Sequence, residues 1–444
     1  MGINIKSILL LSFVSLCINT AAEIRNKLNI NRGWKFELNE VVGAQHTSFD
    51  DNGWMNVNLP HSFSIPYFMW HKVYQGTGWY RKEFDLPTNT KGKTVTLEFE
   101  ASFIDTEVYV NGVKVGNHVG GYTGFVFDIT RYLQKSKNII AVRVNNEWKP
   151  DVAPRAGDHQ FSGGIYRDVY LNITDPLHVD WCGTFVTTPH VSATSAICNV
   201  KTEIRNNNNK DKNCKVKTEI INDSGNVIVQ TESSAIVKMN ECRTYEHSLP
   251  EILNPKLWSP ETPSLYKART TVYDGKKVTD VYETTFGIRS IEWSADKGFF
   301  LNGSHYYLRG ANVHQDQAGW GDAVTNAALR RDVQMMKDAG FNCIRGSHYP
   351  HDPAFVQACD EIGMIYFQEN VLWGMGGSTG DNGWGTPSSS CYPVNKEHHD
   401  HFDNSVLTQL EEMVRIHRNS ASIVAWSMCN EPFFTDWETN QPMK

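Results

Sequence analysis

The sequence predicts a multidomain β plus α/β chain: two β-sandwiches followed by about half of an eight-stranded parallel βα barrel. Three observations carry this. Short alternating runs such as Thr94–Phe99 and 107–110 are punctuated by Asn111-Gly112 and Gly120-Gly121 as far as Asp175-Pro176. A second β-rich stretch, with strand-like 215–221 before the turn Asn222-Asp223-Ser224-Gly225, ends near Phe286-Gly287. From about Ile288 the apolar period changes from two to helical spacing, and helices alternate with strands.

The first sandwich is expected over 23–176 and the second, of immunoglobulin type, over 177–287. Within the second, Asn206 to Asn209 and Lys210-Asp211-Lys212 read as an exposed hairpin tip. Residues 288–444 open with a strand at 306–310. Helix 327–339 ends at the C-cap signal Gly340, strand 342–345 follows, and helix 354–362 stops at Gly363. Strand 364–367, helix 405–417 and strand 423–427 complete four strands and three intervening helices. Half a barrel leaves apolar faces uncovered, which predicts a tendency to aggregate. The Gly-, Ser- and Trp-rich segment from Trp373 to Lys396 follows the third strand, on the face where barrels carry their sites, and its tryptophans suggest a sugar-facing loop.

Composition excludes several classes. The 444 residues suffice for about three domains. Usage is that of a globular chain, at 40% hydrophobic and 20% charged. A net charge of −7 gives no basic surplus to neutralise phosphate, so no nucleic-acid partner is expected. Lys6, the apolar run from Ile8 to Leu16 and the small residues Thr20-Ala21-Ala22 read as a secretory signal over 1–22, with a mature start near Glu23. An exported protein, periplasmic or extracellular and without a transmembrane segment, follows. Cleavage is preferred to lipidation at Cys17, because Val14-Ser15-Leu16 lacks the small residues that lipidation favours. The eight later cysteines show no metal spacing and are expected to be buried thiols.

Polar residues cluster where each parallel strand ends: His314, then Ser347-His348-Tyr349, then Glu369-Asn370, then Asn430-Glu431. One such residue is an ordinary core polar group; four strand ends aimed at one mouth describe a site. Glu431 is the sharpest, held between an apolar strand and Pro432, where a raised pKa would let it protonate a leaving oxygen. Metal binding by His314, His348, Glu369 and Glu431 is the competing use, without a local ligand motif to support it.

The motifs that follow in order are Gly76-Thr77-Gly78-Trp79-Tyr80-Arg81, Val108-Tyr109-Val110-Asn111-Gly112, His118-Val119-Gly120-Gly121-Tyr122, Gly163-Gly164-Ile165-Tyr166-Arg167-Asp168, Leu257-Trp258-Ser259-Pro260-Glu261, Phe286-Gly287-Ile288-Arg289, Ser347-His348-Tyr349-Pro350 and Trp426-Ser427-Met428-Cys429-Asn430-Glu431. Together they make the chain resemble glycoside hydrolase family 2, the β-galactosidase, β-glucuronidase and β-mannosidase group, over essentially its whole mature length. The resemblance implies a jelly-roll sugar-binding domain, an immunoglobulin-like sandwich and a TIM barrel. It implies a retaining exo-acting hydrolase of terminal β-linked sugars, with oligo- or polysaccharide β-glycosides as partners. By resemblance Glu431 is the general acid/base, and Asn430 binds the sugar 2-hydroxyl. His314, His348 and Asp158 are further substrate contacts, joined as candidates by Glu369 and Trp373. Asp158 with both histidines favours a β-galactoside; a β-glucuronidase and a non-catalytic carbohydrate-binding protein are the alternatives.

Two departures from the family pattern matter. Gln368-Glu369-Asn370-Val371-Leu372-Trp373-Gly374 lacks the later glutamate and histidine of the magnesium-binding β-galactosidases, so no cofactor or catalytic magnesium is expected. A retaining mechanism also needs a second carboxylate roughly 5–5.5 Å from the first. The family's nucleophile sits on the seventh barrel strand, beyond residue 444, and Glu369 and Glu438 do not hold its position. Residues 23–444 alone are therefore expected not to turn over an aryl β-galactoside. Self-association of a full-length product stays open.

Overall fold

A computed structural model describes residues 24–63, 74–87, 90–155, 163–373, 380, 383 and 390–431. The first unit is a jelly-roll sandwich. One sheet sets Asn26–Asn29, Val169–Thr174, Thr94–Phe99 and Phe125–Asp128 side by side; the other has six strands with Thr77–Phe84 and Asn138–Asn145 at its centre. Their alternating apolar residues, among them Trp34, Tyr80, Leu97, Val142 and Leu171, meet in a core that is almost fully closed to solvent. Burial of this kind stabilises by roughly 25 cal/mol per Å2 of apolar surface.

The second unit stacks the sheet of Leu177–Val191, Ser195–Asn206 and Cys242–Ser248 on that of Val227–Val237, Lys212–Ile221, Tyr266–Asp274 and Lys277–Phe286. The expected hairpin tip at 206–212 is instead a crossover. Ser195–Asn206 and Lys212–Ile221 lie in different sheets, and Asn206 is buried with its Nδ2 donating to the carbonyls of Lys210, Val237 and Lys238. A polar run can cross a sandwich edge when one amide satisfies the turning backbone.

In the third unit Gly310–Val313, Cys343–Gly346, Ile365–Glu369 and Ile423–Ser427 pair in parallel in chain order. Helices α1 (Asn326–Asp338), α2 (Pro353–Ile362) and α3 (His399–His417) connect them. The first strand begins at Gly310, not at 306. Tyr306 is taken by the preceding hairpin, through its N–H to Phe299 O, and the Arg309 carbonyl accepts from both Asn342 and Cys343. Glycine at 310 lets the strands meet, because a Cβ there would lie 2.7 Å from Cys343 O. The last helix starts six residues before the expected 405, since Phe402 is anchored in the contact with the first sandwich. α2 follows its sequence signals: the Asp352 side chain accepts from Ala354 N–H at 2.8 Å, Pro353 opens the helix, and Gly363 closes it at φ 82°.

Gly363 also abuts the loop around Trp258, which donates its indole N–H to Asp360 O at 2.9 Å. A Cβ on residue 363 would stand 2.4 Å from Pro260 O. Gly363→Ala is therefore expected to destabilise the chain by about 2 kcal/mol through left-handed strain and this clash. Thermal unfolding measures it, and an unchanged midpoint would show that the loop gives way freely.

The first sandwich is bolted to the loops and last helix of the barrel unit. Arg167 donates to Tyr122 O, Gln315 Oε1 and Pro350 O at 2.9, 3.0 and 2.7 Å, and Gln409 links Gly121 N–H to Ala153 O. Of the thiols expected to be buried, Cys198, Cys214, Cys343, Cys359 and Cys391 are so, whereas Cys242 is exposed and Cys182 and Cys429 are partly exposed. Among the described residues no helix is long and apolar enough to cross a membrane. The expected signal over 1–22 lies outside the described residues.

Candidate active site

The C-terminal ends of the second, third and fourth parallel strands bring Arg345, His348, Glu369, Ser427 and Asn430 into one hydrogen-bonded group. At its centre is Glu369, whose side chain is fully buried. Arg345 grips both carboxylate oxygens, with Nη2 at 2.7 and 3.0 Å and Nε at 3.0 Å; His348 Nδ1 lies 2.7 Å from Oε1; Ser427 Oγ donates to Oε2 at 2.7 Å. Burial alone would push this carboxyl up, but the His348, Ser427 and Arg345 donors outweigh it and hold the group below its usual range. Glu369 is thus kept ionised, and its oxygens face these side chains, not the open mouth that the sequence reading gave it. It braces the groups around it.

Arg345 passes that order on. Its Nη2 also donates to Asn430 Oδ1 at 2.8 Å, so the Asn430 amide has its acceptor engaged and its NH2 left to donate. The backbone assists, because Asn430 N–H donates to Leu372 O at 2.9 Å and residue 430 bridges Trp373 in parallel. Glu431 follows at φ 43°, a left-handed conformation uncommon for a residue with a side chain and frequent at functional sites. Its side chain is exposed. The turn expected from Pro432 lies outside the described residues, as do Asp158, Trp384 and Glu438.

His314 leaves the first strand with Nδ1 3.1 Å from the Tyr349 hydroxyl, and its ring stands edge-on to His348 at 5.1 Å. The two histidines therefore share one wall with Asn430. Trp373 is placed differently from the expectation of a sugar-facing ring. It is only 2% exposed, packed against Tyr122 at 5.9 Å and Tyr349 at 5.7 Å, while Tyr122 and Tyr349 stack at 4.3 Å. It underpins the mouth from below, where large rings fill the contact between domains.

Sequence reasoning passed over Arg345, Ser427 and Tyr122. Arg345 had a readable signal: a cation in the middle of a buried parallel strand requires a buried anion. Tyr122 stands in the 118–122 motif, but its place under the mouth was not readable, as Tyr349 and Trp373 are more than two hundred residues away. Among the described residues Asp180, Glu203 and Cys242 come close enough together to hold a cation. They stand apart from the strand ends, and the two carboxylates are already paired with Arg205 and Arg415 at 2.7 and 2.6 Å.

Two sandwiches and a parallel βα unit, with a carboxylic acid and an amide at the strand ends, describe a carbohydrate-active architecture. The sequence models of glycoside hydrolase family 2 match it in three consecutive pieces: the sugar binding domain over 25–176, the family 2 domain over 177–289 and the TIM barrel domain over 294–442. The chain belongs to glycoside hydrolase family 2. It is similar to a β-glucuronidase of Formosa agariphila, at 33% identity over 387 residues, covering 81% of this chain and 39% of that protein. Similarity to the β-galactosidase BoGH2A of Bacteroides ovatus is 31% over 421 residues, covering 92% and 46%. The crystal structure of Bacteroides uniformis β-glucuronidase superposes with a TM-score of 0.82 at 34% identity, over 90% of this chain and 46% of that one. The chain thus spans less than half the length of these relatives.

Proposed function

We propose that the protein is a retaining exo-acting β-glycosidase in which Glu431 is the general acid/base. The observation that carries this is the relay from Glu369 through Arg345 to Asn430, which fixes an amide donor immediately before an exposed carboxyl at the end of a barrel strand. In the reaction, the Asn430 NH2 holds the sugar 2-hydroxyl while Glu431 protonates the departing oxygen and then takes a proton from the attacking water. His348, pinned through Nδ1 by Glu369, turns its other ring nitrogen to the sugar, with His314 beside it. The second carboxylate lies outside the described strand ends, and Glu369 is too fully engaged to attack. No metal enters the proposal.

The terminal sugar is galactose or glucuronic acid. The sequence reading favoured galactose through Asp158 with the histidines, and relatives bearing each name support the two about equally. Initial rates of the intact gene product on nitrophenyl β-D-galactoside and nitrophenyl β-D-glucuronide decide between them. A tenfold or greater preference names the sugar, and hydrolysis of neither overturns the proposal. Export from the cytoplasm, proposed from residues 1–22, is checked by fractionating the cells that make the protein.

A further inference from the structure

We infer that the cleft between the two sandwiches is a second saccharide-binding site, for a neutral sugar unit. The outer face of the four-stranded sheet is polar along one register row, where Lys27, Asn172, Thr96 and Asp128 lie side by side on four strands. Strand Leu177–Val191 passes over this row and loses register between Val179 and Thr184. Cys182 in that bulge sits at φ 46°, a left-handed conformation that a residue with a Cβ rarely adopts. The bulge carries Trp181 back onto the first sandwich, where its indole N–H donates to Glu98 Oε1 at 3.1 Å. Helix α3 and its C-cap hold it there: Arg415 donates twice to Trp181 O, at 2.7 and 3.1 Å, and Arg418 to Cys182 O at 2.8 Å. Strained bulges recur beside binding sites because they re-aim a side chain.

Between the row and the bulge lies a cavity of about 430 Å3, inside the range of about 300–1,000 Å3 of small-molecule sites. Each cation in its lining is paired, and the Asp128 carboxylate accepts from Thr130 N–H and Oγ1. Arg25 bonds Asp280, Lys27 meets Glu98 at 3.2 Å, and Arg205 meets Asp180 at 2.7 Å. The lining His178 is kept uncharged by burial, which lowers its pKa. With Arg25, Lys27 and Arg205 each already paired, the site does not select an anion. What it offers is the Asn207 amide, the Asn172 amide oxygen, whose Nδ2 donates to Glu98, and the hydroxyls of Thr96 and Thr174, beside the ring of Trp181, while Arg25 lies over the ring of Tyr282. A neutral sugar ring matches that set, with hydroxyls for the amides and an apolar face for an aromatic ring. The cavity shares no lining residue with the strand-end site and is independent of the chemistry proposed there.

Isothermal titration of the Glu431→Gln protein with lactose, cellobiose and glucuronic acid tests the inference. Lactose or cellobiose is expected to bind, and Trp181→Ala and Thr96→Tyr are each expected to weaken that binding about tenfold or more. Thr96→Tyr fills the floor without removing the indole, and far-ultraviolet circular dichroism shows whether each variant is folded. Three results would overturn the site: no saturable binding of either disaccharide, binding abolished by Asn430→Ala yet untouched by Thr96→Tyr, or tighter binding of glucuronic acid in the same cleft.

Discussion

The Glu431→Gln protein is expected to lose about 10²–10⁴-fold of its turnover on glycosides with poor leaving groups. In kcat/KM, which reports the first step, aryl glycosides whose leaving groups need no proton should be hit much less, because that step loses only protonation of the departing oxygen; their kcat still falls, since the base for the attacking water is gone. Comparing alkyl and nitrophenyl substrates of the same sugar on the intact gene product measures the difference. Equal losses of kcat/KM on both sets would show that Glu431 acts in some other way. Asn430→Ala should behave differently, with its deficit shrinking on a 2-deoxy substrate that has no hydroxyl for the amide to hold.

Arg345→Ala is expected to be the most destabilising change at the site, by about 3–5 kcal/mol, because it leaves the fully buried Glu369 carboxylate without its bidentate partner. Arg345→Lys keeps the charge but not the fork, so it should fall between the two. Denaturant unfolding followed by tryptophan fluorescence reads the loss. The pH dependence has a definite sign. Glu369 titrates below its ordinary 4.5 in the folded chain, so its contribution is complete above about pH 4.5. It fades as the pH falls through the lower folded value. Glu369→Gln should flatten this part of the acid unfolding curve, and an unchanged curve would place the acid sensitivity elsewhere.

Much of the barrel order is legible in the sequence, since Gly340 and Gly363 mark helix ends and buried parallel strands form short apolar runs between them. Register is less legible. Tyr306 to Arg309 has strand composition, but its backbone serves the hairpin before it and the strand beside it. The 206–212 run shows the same limit, because a polar Asn- and Lys-rich segment looks alike whether it joins two strands of one sheet or two sheets. At the site, strand-end position identified His314, His348, Asn430 and Glu431 as neighbours. It did not separate groups facing the mouth from groups beneath it. Glu369 and Trp373 belong beneath, and that distinction depends on partners such as Arg345 and Tyr122, which one strand's pattern does not reveal.

The contact of Tyr122 with Tyr349 and Trp373 bears on how the molecule comes apart. Phe103, Ile104, Tyr122 and Tyr166 from the first sandwich share one buried cluster with Tyr349, Val371, Trp373 and Phe402 from the barrel unit. The chain boundary near residue 176 therefore does not divide two cooperative units. Melting the first sandwich strips the floor from under His314 and His348, so sugar binding at the mouth and integrity of the first 176 residues should disappear in a single transition. A chimera that exchanges the first sandwich with that of a relative must carry a matching partner for Tyr349 to keep its site.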